Sequence, residues 1–144
     1  WYLRKRGEVI SLERRRPLYE VGKEGLAALS GQDGEMTEAL RRIQLLHADF
    51  RGFLETAAPN SFDVIYFDPM FRYPVKRKEN SMEGFRSAAV YDPLTEDVLQ
   101  FAMRAARKKV IVKERPFSAL FRTGLFTEIH GKRGQTTAYG VIKL

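Results

Sequence analysis

The chain has no cysteine and only two histidines, His47 and His130, which lie far apart in sequence. Without thiols there are no disulfides, no Cys-ligated zinc or iron–sulfur centre and no thiol nucleophile. Two distant imidazoles give little support to a His-built metal site or a Ser-His triad, so no metal is expected. Long apolar runs are missing too: none approaches the ~18–20 residues of a membrane span, and no charged-then-apolar leader opens the chain. A cytoplasmic protein without membrane contact is therefore expected. No Gly-x-Gly occurs anywhere.

What the 144 residues do have is apolar content for a core and an excess of positive charge, 25 Lys and Arg against 18 Asp and Glu. A chain of this length buries roughly 68–70% of the surface its unfolded form exposes, enough for a single domain over residues 1–144 without staples. The cations cluster: Arg4-Lys5-Arg6, Arg14-Arg15-Arg16, Lys76-Arg77-Lys78, Arg104 with Arg107-Lys108-Lys109, and Lys132-Arg133. Clustered cations attract a polyanion such as RNA or DNA. Lys and Arg also flank strands and cap helix ends without binding anything, so charge alone leaves both readings open.

Alternation along the chain indicates an α/β fold. Glu8 to Leu12 is a short β-branched run that reads as a strand. From Pro17 a helix follows, with Leu18, Val21, Gly25, Leu26 and Leu29 at helical spacing, until Gly31 to Gly34 breaks it. A short helical piece over Met36 to Arg42 leads into a second strand, Ile43 to His47, with Asp49 at its end. Phe50 to Ala57 gives one or two helical turns before Phe62-Asp63-Val64-Ile65-Tyr66-Phe67, the most apolar strand. Residues 72 to 94 carry charge and two prolines without periodicity, a length that in a compact domain is functional or disordered. Thr95 is placed to cap a helix over Glu96 to Ala106, with Val98, Leu99, Ala102, Met103 and Ala106 on its buried face. Val110 to Val112 is a further core strand, and Leu125 to His130 and Thr136 to Leu144 form an antiparallel hairpin. The order predicts a mostly parallel sheet with an antiparallel addition at one edge.

Such sheets bind ligands beyond the carboxyl ends of their strands, and Glu13, Asp49 and Asp68 all fall there. Glu13 suits the vicinal hydroxyls of a ribose, though beside three arginines it equally suits a surface ion pair. Asp49 suits the amino group of an adenine, and equally an N-cap for the helix from Phe50. Asp68-Pro69-Met70-Phe71 is more specific. An exocyclic amino nitrogen on a nucleobase is a poor nucleophile because its lone pair is delocalised into the ring. The Asp68 carboxylate and a backbone carbonyl held rigid by Pro69 can accept its two hydrogens while Phe71 stacks on the ring. The nitrogen is then aligned to attack an activated methyl. A plain strand-ending turn with an Asx cap is the alternative. Tyr66 and Phe67 read as core, and His47 as a hydrogen-bonded core residue.

At these residues the chain resembles class I S-adenosylmethionine-dependent amino-methyltransferases, whose motif IV is an apolar strand followed by Asp-Pro-[Pro/Met]-[Phe/Tyr]. With Leu12-Glu13-Arg14, Ile43-Gln44-Leu45-Leu46-His47-Ala48 and Val110-Ile111-Val112-Lys113-Glu114-Arg115-Pro116, it is most similar to the small-subunit ribosomal RNA guanine-N2 methyltransferase J family. The resemblance implies a Rossmann-like sheet and an enzyme that takes S-adenosylmethionine as cofactor and ribosomal RNA as substrate. It implies cofactor contacts at Glu13, Arg14, Asp49, Phe50 and Asp68, and the target base over Asp68, Pro69, Met70 and Phe71. Arg72, Lys76, Arg77, Lys78 and Arg86 are then candidate RNA-phosphate contacts, with a solvated loop as the alternative. Two departures stand out. Arg72 and Tyr73 intervene before Pro74, where the family commonly has proline directly after the aromatic residue. The Gly-rich cofactor loop of class I methyltransferases has no counterpart, and the family pattern places it with the first strand just ahead of Trp1. Adenine-N6 methylation and a non-catalytic basic RNA-binding module are the alternative functions.

Overall fold

A computed structural model of the chain describes residues 7–30, 35–69, 94–131 and 134–144. They fall into two compact units, one holding the described residues up to Phe50 and the other those from Arg51 onward.

In the first unit, β1 (Val9–Glu13) and β2 (Ile43–His47) pair in parallel, from Val9 opposite Ile43 to Glu13 opposite His47. Parallel neighbours need a crossover, which contains α1 (Arg16–Ser30) and α2 (Glu35–Leu40). Pro17 sits in the first turn of α1, where its missing N–H costs nothing. The inward stripe of α1 differs from the one the spacing predicts. Leu18, Gly22 and Leu26 are half-buried at i, i+4 and i+8, whereas Val21 and Leu29 are 58% and 51% exposed. The reason is a close approach: a Cβ on Gly22 would lie 2.9 Å from Leu45 Cδ2. The helix leans on β2 through its glycine, and Val21, about 100° further round, turns outward.

In the second unit, α3 (Phe50–Thr56, its first residue in the other unit) precedes β3 (Phe62–Phe67). Next come α4 (Glu96–Ala105), β4 (Ala106–Glu114), a 3-10 turn (Ala119–Arg122), β5 (Glu128–His130) and β6 (Ala138–Lys143). The strands make one sheet in the order β3-β4-β6-β5, with β3 parallel to β4 and both β6 pairings antiparallel. The α/β class and the antiparallel C-terminal hairpin are as expected. β4 is three times the length of the run Val110 to Val112, because Arg107 and Lys108 continue the strand with their side chains on Asp63 at 3.4 Å each.

Alternation along β4 builds the core of this unit. Val110 and Val112 are fully buried with Ile142 of β6 and with Val98, Leu99, Ala102 and Ala105 of α4. Each such Val or Leu contributes roughly 1.5–3 kcal/mol of burial. Met103, placed on the buried face by spacing, is only half-buried. Thr95 occupies the N-cap position of α4, but its hydroxyl makes no cap bond; it binds Asp97 and accepts from Arg51 Nη2 at 2.9 Å. Tyr66, expected in the core, is 52% exposed, while Phe67 is buried. Strand alternation sends these neighbours to opposite faces, and α4 lies against the buried one.

Arg104 shows how part of the basic character is structural. Its Nη2 donates to the carbonyls of Leu54, Glu55 and Ala57 at 3.0, 2.7 and 3.3 Å. They lie at and just beyond the carboxyl end of α3, where a cation is favoured.

Candidate functional site

In the first unit the candidate residues gather where β1 and β2 end. Glu13 is the last residue of β1, and its Oε1 accepts from the Arg15 N–H at 2.7 Å. Asp49 lies two residues beyond β2, and its Oδ2 stands 3.4 Å from Arg14 Nη1. His47 bonds the Arg14 carbonyl through Nε2 at 2.9 Å and stacks on Tyr19 with ring centroids 5.2 Å apart. A carbonyl only accepts, so Nε2 carries the proton. His47 is thus hydrogen-bonded as expected, but it is exposed rather than core.

These contacts bring Glu13, Arg14 and Asp49 together beyond one parallel strand pair. Two carboxylates on neighbouring strand ends suit a nucleoside: one for ribose hydroxyls and one for a base amino group. The Arg14–Asp49 pair is half-exposed and worth at most about 1 kcal/mol, so a ligand can share Asp49 at little cost. This pair of acceptors therefore fits the ribose and adenine of S-adenosylmethionine.

In the second unit, Asp68 follows β3 directly, and next to it comes Pro69, whose ring fixes its own φ. The Asp68 carboxylate is exposed, but it has a partner that sequence did not reveal. Lys113 Nζ lies 2.9 Å from Oδ1 and 3.0 Å from Oδ2. The Tyr66 hydroxyl reaches Oδ2 at 3.5 Å, a long contact. The hydrogen bond to Asp68 holds the Lys113 ammonium above the usual lysine range, against the opposing effect of partial burial. Partial burial and then the Asp68 charge raise the Tyr66 hydroxyl, keeping it protonated. In the sequence Lys113 is one lysine in a strand-ending motif. Only the pairing of β3 with β4 puts it beside Asp68.

Met70, Phe71, Arg72, Lys76, Arg77, Lys78 and Arg86 lie outside the described residues, as do Arg4-Lys5-Arg6 and Lys132-Arg133. Among the described residues no group of His, Asp and Glu could hold a metal ion, and no helix is long and apolar enough to cross a membrane.

A family model described as "Putative SAM-dependent methyltransferase" matches residues 7–136. The protein YpiP of Bacillus subtilis is 31% identical over 137 residues, covering 95% of this chain and 52% of its own length. The ribosomal RNA small subunit methyltransferase J of Cellvibrio japonicus is 31% identical over 144 residues, covering 92% of this chain and 53% of its own. The crystal structure of a SAM-dependent methyltransferase from Neisseria gonorrhoeae superposes with a TM-score of 0.61 at 18% identity, over 93% of this chain and 51% of that one. That likeness shows the fold. The chain spans about half the length of these relatives.

Proposed function

Since the chain belongs to the SAM-dependent methyltransferase family, we propose that the protein moves a methyl group from S-adenosylmethionine to an exocyclic amino group of RNA, with guanine N2 of small-subunit ribosomal RNA as the leading target. The observation that carries this reading is Asp68-Pro69 at the carboxyl end of β3, with the Asp68 carboxylate exposed and held by Lys113. Relatives named for small-subunit ribosomal RNA support that RNA as the substrate. The match of the family model across both compact units supports a single methyltransferase domain, and a ribosomal RNA substrate supports a cytoplasmic setting.

The cofactor supplies an electrophilic methyl carried on a sulfonium. Glu13, with Arg14 beside it, would hold the ribose, and Asp49 with Phe50 the adenine. Asp68 accepts one amino N–H of the target base, Pro69 stiffens the turn, and Met70 and Phe71 continue the base site. Arg72, Lys76, Arg77, Lys78 and Arg86 offer charge to RNA phosphates. The amino proton leaves to solvent after transfer, so no histidine base is required.

Asp68→Ala tests the assignment. Methyl transfer should be lost while S-adenosylmethionine affinity stays within a few fold of the wild type, because Asp68 serves chiefly the target base. Transfer that survives the substitution contradicts the reading.

A further inference from the structure

We infer that Lys113 is a positioning residue for methyl transfer, one that fixes the Asp68 carboxylate in the orientation the target amino group meets; the inference rests on the assignment of Asp68 to that group. β3 and β4 are parallel neighbours with Phe67 opposite Val112. The next residues, Asp68 just past the end of β3 and Lys113 still within β4, therefore stand side by side. Lys113 Nζ straddles the carboxylate, 2.9 Å from one oxygen and 3.0 Å from the other. A cation shared by both oxygens opposes rotation of the carboxylate plane, which a single hydrogen bond would not.

The surroundings reinforce this placement. Tyr66 of β3 contacts Oδ2, and Tyr139 of β6 stands opposite Lys113 in the sheet register. Tyr66, Lys113 and Tyr139 are the groups that act electrostatically on one another around Asp68. An ionised carboxylate offers about four lone-pair sites. Lys113 takes one on each oxygen and Tyr66 approaches a second on Oδ2, which leaves the second site of Oδ1 for an amino N–H. In the transfer the amino lone pair forms the new N–C bond, the S–C electron pair returns to sulfur, and the amino proton passes to water. The side chains of Lys113 and Asp68 are 27% and 47% exposed, and a pair so solvated adds little to folding stability. Its effect lies in placement.

The test uses the full-length protein, S-adenosylmethionine and unmethylated ribosomal RNA. Lys113→Met should lower kcat roughly 10- to 100-fold, the scale of a misplacement of about 1 Å. Its KM for RNA, its cofactor affinity and its melting temperature should stay close to the wild type. Lys113→Arg, whose fork also spans both oxygens, should restore kcat to within a few fold. Lys143→Met removes the same charge from β6, where Lys143 pairs with Glu128, and should leave kcat unchanged. Lys113→Gln keeps a donor without the charge and should repeat the kcat loss if the methionine disturbs folding. An unchanged kcat in Lys113→Met or Lys113→Gln, or a loss confined to KM for RNA, overturns the inference alone. A wild type that methylates no RNA overturns the functional reading and this inference together.

Discussion

Glu13 and His47 stand opposite each other as the last register pair of β1 and β2, and both fasten the turn that follows β1. Glu13 accepts from the Arg15 N–H while His47 donates to the Arg14 carbonyl. The turn that presents Arg14 to Asp49 is thereby held from two strands.

Glu13→Gln should weaken cofactor binding. A charge-assisted hydrogen bond to a ribose hydroxyl is worth about 1.5–3 kcal/mol, or about a 10- to 150-fold rise in Kd. Titration calorimetry with S-adenosylmethionine checks this, and an unchanged Kd would remove Glu13 from the cofactor site.

Asp97 gives the fold an acid-sensitive contact. Hydrogen bonds from Arg51 and then Thr95 hold its carboxyl at about 2, below the usual 3.8. A depressed carboxyl stabilises the fold above its unfolded value and loses that contribution as pH falls through the folded one. Asp97→Asn should therefore melt below the wild type at pH 7, with the difference closing between about pH 3.8 and 2. Melting curves across that range report it, and a gap that widens on acidification would contradict the assignment.

Gly140 carries the weight of a tight aromatic contact. A Cβ there would come within 2.4 Å of the Phe126 ring and 2.6 Å of the Phe121 ring, which meet edge to face at 5.1 Å. Gly140→Ala must push these rings apart, at a cost of about 1–3 kcal/mol. A fall in melting temperature without loss of cofactor affinity is expected.

The strands that bear the acids were legible because their apolar runs are short and end on Glu13, near Asp49 and before Asp68. β3 matches its expected span, Phe62 to Phe67. The first half of β4 was hidden because Arg107 and Lys108 read as a charged flank; their pairing with Asp63 of the neighbouring strand is a tertiary fact. Lys113 was hidden for the same reason, since its role depends on which strand lies beside β3. The inward stripe of α1 was misjudged because the spacing took in Gly25, which is exposed, and not Gly22, where a Cβ would meet Leu45.

The most direct test of the central claim combines full-length protein, methyl-labelled S-adenosylmethionine and ribosomal RNA from cells lacking the gene, followed by identification of the labelled nucleoside. Label in N2-methylguanosine of the small-subunit RNA is the predicted result. Label in N6-methyladenosine would keep the amino-transfer chemistry and move the target. Cofactor bound by the protein with no label in any nucleic acid would contradict the account.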